Sequence, residues 1–153
     1  MRRIAVFSGL VLLYATIFGA ARAVAAAPQY KQGCVFHGWF VSGSTLTPFD
    51  AIIQTVNQYS TATSGNILSG EEIVNTGGST VCTYTIVPTG STFTINSLGI
   101  TTFSQTFTPT TGNPAGCATT QFVATAQGVV TATGAYTLST QLGSTGSGSC
   151  SLQ

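Results

Sequence analysis

Thr80 to Pro88 reads TVCTYTIVP, and its alternation decides the fold. Val81, Thr83, Thr85 and Val87 fall on one face of an extended chain, and Cys82, Tyr84 and Ile86 on the other. Strand side chains alternate with period two, so a half-buried strand reads this way and a helix does not. β-branched and aromatic residues dominate the stretch, as a pleated, half-buried surface favours.

The same pattern extends in both directions. Upstream, Thr76-Gly77-Gly78-Ser79 reads as a hairpin turn after a strand over Asn66 to Asn75, with Gly70 as a bulge. Downstream, Thr89-Gly90-Ser91 reads as a turn, followed by short strands over Thr92 to Asn96 and Leu98 to Thr108. Pro109 to Gly116 carries two prolines and two glycines and reads as a loop. Ala118 to Ala126 and Val129 to Thr140 follow, joined by Gln127-Gly128.

Cys34 to Val41, CVFHGWFV, is the most apolar stretch outside the N-terminus. Val35, His37, Trp39 and Val41 alternate with Phe36 and Phe40, which predicts a strand buried on both faces. Pro48 to Tyr59 carries two patterns. Phe49, Ile52, Ile53 and Val56 sit at i, i+3, i+4 and i+7 after a capping-type Thr47-Pro48-Phe49-Asp50 start. Its β-branched content suits a strand as well, and the helical match is slightly better.

Seven or eight short strands joined by tight turns, with no helix long enough for a crossover, exclude parallel α/β folds. The expected class is all-β. Consecutive hairpins form an antiparallel meander, which closes most economically into a seven- to eight-stranded up-and-down barrel. A two-sheet β-sandwich is the alternative.

The ends set the compartment. Arg2 and Arg3 precede the uncharged run Ile4 to Ala20, and Ala21 to Ala27 is rich in alanine. That order predicts a secretory signal helix over residues 1–25, cut after Ala23-Val24-Ala25 and leaving no stable membrane span. A lead-in over 26–33, a β domain over 34–142 and a Gly/Ser-rich tail over 143–153 would follow.

Cutting there leaves 128 of 153 residues, one domain with a single core. It also removes Arg2, Arg3 and Arg22. The formal net charge then changes from +1 to −2, with Lys31 set against Asp50, Glu71 and Glu72. So few charges exclude a nucleic-acid or anionic-membrane surface. Hydroxyl and amide groups solubilise the domain, and a weakly charged Thr/Ser/Gly-rich surface associates readily.

Cys34, Cys82, Cys117 and Cys150 are separated by 47, 34 and 32 residues, with no metal-type CxxC spacing. An even count in an exported chain predicts two disulfides. Three connectivities are open. A closed barrel makes its first and last strands neighbours, which favours Cys34–Cys150 with Cys82–Cys117. Asn113 is followed by Pro114 and no N-x-S/T sequon follows the signal, which fits a bacterial protein, periplasmic or extracellular.

Two resemblances add to this reading. A Gly38-Trp39 dipeptide on an opening strand, with a strand count near eight, resembles the calycin-type barrels, the group of lipocalins and avidins. The later lipocalin motifs and the avidin tryptophan set are absent. Thr63 to Ile86, with its SGN, SGEEIVNTGG and TYTI segments, is similar to small uncharacterised exported bacterial β proteins. The first resemblance implies a ligand-holding barrel, and no activity comes with the second.

Candidate chemistry is sparse. His37, the only histidine, lies between apolar neighbours, where a satisfied core residue is the plainer reading. Asp50 with Glu71 or Glu72 could form a hydrolase carboxylate pair, but on a strand Glu71 and Glu72 point to opposite faces, so only one could line a barrel. The plainer reading puts Asp50 at a cap and the glutamates in solvent. His37 and Asp50 could join a serine in a triad, but no GxSxG frames a nucleophile. Nothing implies a metal or a cofactor. Of the aromatics, Trp39, Phe40 and Tyr84 are the candidates to line an apolar cavity at a barrel mouth. The expected role is to bind a small apolar ligand without catalysis. A self-associating surface or matrix protein and a carboxylate hydrolase are the alternatives.

Overall fold

The computed structural model describes residues 27–42, 44–130, 136–141 and 144–153. The expected signal helix and its cleavage site lie outside these residues. Eight antiparallel strands form a closed barrel in chain order: β1 (Gln29–Ser42), β2 (Thr45–Thr61), β3 (Ser64–Asn75), β4 (Val81–Ile95), β5 (Ile100–Pro109), β6 (Phe122–Val130), β7 (Tyr136–Gln141) and β8 (Ser144–Leu152). Each strand pairs with the next, and β8 pairs back with β1, so the described residues form one closed sheet rather than the two packed sheets of a sandwich.

The alternation in β4 is realised as read: Cys82, Tyr84 and Ile86 are buried inside, with Val81 and Thr85 exposed outside. Other stretches differ from expectation, among them Gln127-Gly128, which pairs on both sides within β6 and is not a turn. Pro48 to Tyr59 belongs to β2, with Ala51, Ile53, Thr55 and Asn57 inward. Fourteen register positions against β1 override its local helical match. Pro48 is tolerated because β2 meets β3 only from Asp50 onward, so position 48 has a neighbour on one side only.

Thr89-Gly90-Ser91 is not a hairpin. It lies inside β4, where the registers with β3 and β5 both shift. Gly90 takes φ 84° there. The Ser91 hydroxyl donates to the Val87 carbonyl at 2.6 Å and accepts the Thr106 N–H at 2.9 Å, so a side chain supplies the bond that the bulged backbone withholds.

Strand β1 starts at Gln29, inside the expected lead-in, and the Gly/Ser stretch expected as a tail is β8. Glycine is required at this seam: a Cβ on Gly148 would collide with the Phe36 ring and the Val35 carbonyl. Finally, β1 is buried on one face only. Cys34 and Phe36 point inward, while Val35 and Trp39 are 45% and 51% exposed.

Both disulfides carry the favoured connectivity, Cys34–Cys150 and Cys82–Cys117. Such bonds persist in oxidising compartments. Aromatic rings seal one end of the barrel. Tyr59 packs 5.1 Å from Phe93 and 5.3 Å from Tyr30, and Phe93 lies 6.1 Å from Phe103. Above this plug lies a buried polar layer, where the Asn57 amide donates to Gln32 at 3.1 Å and to Thr55 at 2.9 Å.

Candidate functional site

The opposite half of the barrel is hollow. A cavity of about 530 Å³ opens where β1 and β3 end and β2, β4 and β6 begin. That size falls in the range of small-molecule sites, ~300–1,000 Å³. Small side chains make the space: Ala51 on β2 and Ala124 and Ala126 on β6 line it where larger residues would fill it. Aromatic rings bound it on two sides. Phe40 stacks on Phe49 at 4.6 Å across β1 and β2. On the far side Phe122 stacks on Phe107 at 5.2 Å and meets Tyr84 edge-on at 5.1 Å.

The loop between β5 and β6 forms part of the rim, where Gly116 and Ala118 line the cavity. It is fastened to β4 by several bonds. The Asn113 amide donates to the Thr83 carbonyl and its oxygen accepts the Thr83 N–H, both at 2.8 Å, so the side chain mimics a neighbouring strand. The Cys82–Cys117 disulfide holds the same loop, and the Ala118 N–H donates to the Tyr84 hydroxyl at 3.1 Å. A loop tied in this way keeps the rim in place before any ligand arrives.

Two polar side chains of β3 and β5, Glu72 and Gln105, interrupt the apolar lining. Glu72 pairs in register with Ile53 of β2 and Tyr84 of β4, so its side chain shares their inward face. Burial pushes the Glu72 carboxyl up to about 7, because an apolar surround disfavours the charged form.

The expected site residues separate accordingly. Phe40 and Tyr84 line the cavity, and Trp39 does not: it points outward from the adjacent position. Glu71 and Glu72 do point to opposite faces, with Glu71 exposed outside. Asp50 also faces out. No cleft holds two carboxylates together: Asp50 and Glu72 are on opposite sides of the wall, and Asp50 and Glu71 lie four β2 positions apart along the outer face.

His37 is an outer-wall residue rather than a core one. Its Nδ1 meets Asp50 Oδ1 at 2.6 Å, with the two side chains 69% and 70% exposed. Register places Ser147 of β8 on the other side of His37, so Ser147, His37 and Asp50 form a row across three strands. The cavity does not include them, and a flat, wet surface lacks the water exclusion and oriented donors that hydrolysis needs. Among the described residues no group of three or more His, Cys, Asp and Glu converges as a metal site would require.

Sequence reading missed most of the lining: Ala51, Ala124, Ala126 and Gln105 carry no local signal of a cavity. The chain matches no family model, no curated protein and no solved structure.

Proposed function

We propose that this is an exported, non-enzymatic β-barrel that takes a small, largely apolar ligand into the open half of its barrel. The observation that carries this reading is the cavity of about 530 Å³ bounded by aromatic rings and held open by alanines. The β5–β6 loop of its rim is tied down, so that loop adds little ordering cost to binding. Export rests on the N-terminal sequence and agrees with two disulfides.

A neutral solvatochromic dye tests the reading. It should bind with a blue shift, and Ala126→Phe, which fills the cavity, should abolish that binding while leaving cooperative unfolding in place. Binding that survives Ala126→Phe, or no binding at all, would reject the cavity as the site.

A second reading, self-association, is supported by a row of exposed apolar side chains in mutual register on the outer wall. Val35, Ile52 and Ile73 are 45%, 52% and 42% exposed. Sedimentation at rising concentration and several ionic strengths checks it, and a strictly monomeric protein would rule it out.

A further inference from the structure

A carboxylate is an odd group to place in an apolar ligand site. The chain after the signal has three acidic side chains, and only Glu72 lies in the cavity lining. Its surroundings offer no counter-charge among the described residues. From β2 it faces Ile53, and from β4 it faces Tyr84, whose hydroxyl accepts the Ala118 N–H and carries no charge. Cys82, also in the lining, is disulfide-bonded. Across the cavity, Gln105 is amide and neutral, and the β6 lining is Phe122, Val123, Ala124, Thr125 and Ala126. Lys31 and His37 lie on the outer face. A largely enclosed carboxylate without a counter-charge is costly, and the cost is relieved either by a proton or by a cation that enters the cavity.

We propose that the cavity takes an apolar amine or quaternary ammonium compound, with Glu72 pairing its cationic nitrogen. This rests on the reading of the barrel as a ligand binder and names the class of ligand. The aromatic surround fits the same class. Phe40 and Phe49 on one side, and Tyr84 and Phe122 on the other, present ring surface to the cavity, and ring faces attract organic cations. Fatty acids and other anions would meet a like charge.

Binding is then coupled to protonation. The cation needs the ionised carboxylate, and burial holds that carboxyl at about 7. Above pH 7 the carboxylate is ready. Below it, each binding event must displace a proton, so affinity falls by about tenfold per pH unit. A barrel of this kind would hold its ligand in neutral surroundings and release it in acidic ones.

The test compares phenylbutyl-trimethylammonium with its uncharged isostere, in which carbon replaces nitrogen. Both are titrated against the neutral dye at pH 8.5, 7 and 5.5. The wild type should bind the cation at least about tenfold more tightly at pH 8.5, with that preference lost at pH 5.5. Glu72→Gln should bring both probes to one pH-independent affinity. Because the cationic probe has no proton to lose, any titration belongs to the protein.

Equal affinities for both probes at every pH would overturn the cation anchor and leave the ligand-binding reading intact. Dye bound and displaced by neither probe would also count against the anchor. Failure of the dye itself to bind would reject the binding reading and the anchor with it.

Discussion

Cys34 and Cys150 face each other directly across the seam between β1 and β8, with their Cα atoms 4.0 Å apart and a disulfide between them. The bond closes the barrel where its two terminal strands meet, and it spans 116 residues, against 35 for Cys82–Cys117. Chain entropy sets the expected ranking. Replacing the first pair with alanines should cost about 5 kcal/mol and replacing the second about 4 kcal/mol, read from denaturant unfolding. The functional ranking should be reversed: loss of Cys82–Cys117 frees the rim loop and should weaken dye binding more than loss of the seam bond. Equal effects on dye binding would show that the loop does not shape the site.

Glu72 gives stability a pH dependence of known sign. Its folded pKa lies above the ordinary value, at about 7 against 4.5, so the fold prefers the protonated form. No penalty exists below about pH 4.5. It grows between pH 4.5 and 7 and is complete above, reaching up to about 3 kcal/mol. Glu72→Gln should therefore stabilise the protein at pH 8 and change little at pH 4. Thermal unfolding at the two pH values decides, and a variant destabilised at pH 8 would mean that Glu72 has a partner inside the barrel.

Trp39, the single tryptophan, is half exposed and turned away from the cavity. Its emission should be that of a wet indole, and an aqueous quencher should reach it equally with and without ligand. Trp39→Phe should leave dye affinity unchanged, while Phe122→Ala, which removes a ring of the lining, should lower it.

Gly65 lies under the Phe93 ring in the aromatic plug. A Cβ there would collide with that ring and with the Gln58 carbonyl. Gly65→Ala should cost about 1–3 kcal/mol, the usual range for overpacking a filled core. Neither Gly65 nor Phe93 lines the cavity, so the dye affinity of the remaining folded protein should not change. A variant as stable as wild type would mean that Phe93 can repack.

Local alternation carried the strand reading where one face is buried and the other wet, as in β4. It failed where the pattern is set by neighbours. Pro48 to Tyr59 fits helical and extended spacing alike, and only its ladder with β1 chooses between them. The Gly/Ser-rich Ser144–Leu152 has no side-chain pattern, yet glycine is what lets β8 lie against Phe36. Gly90 looked like a turn because a bulge needs the same backbone freedom.

From its residues alone this chain was determined to be all-β, weakly charged and double-bridged, while the inward or outward sense of Trp39 and Phe40 stayed open. Those properties follow from composition and from a period of two, which need no knowledge of partners. Tertiary structure decided which wall residues enclose space. Glu71 and Glu72 are equivalent in the sequence, and closure of the barrel sends one to water and the other into an apolar cavity. A cavity is a property of what lies across it, and residues from six strands must meet around a common axis before the burial of one carboxyl has any meaning.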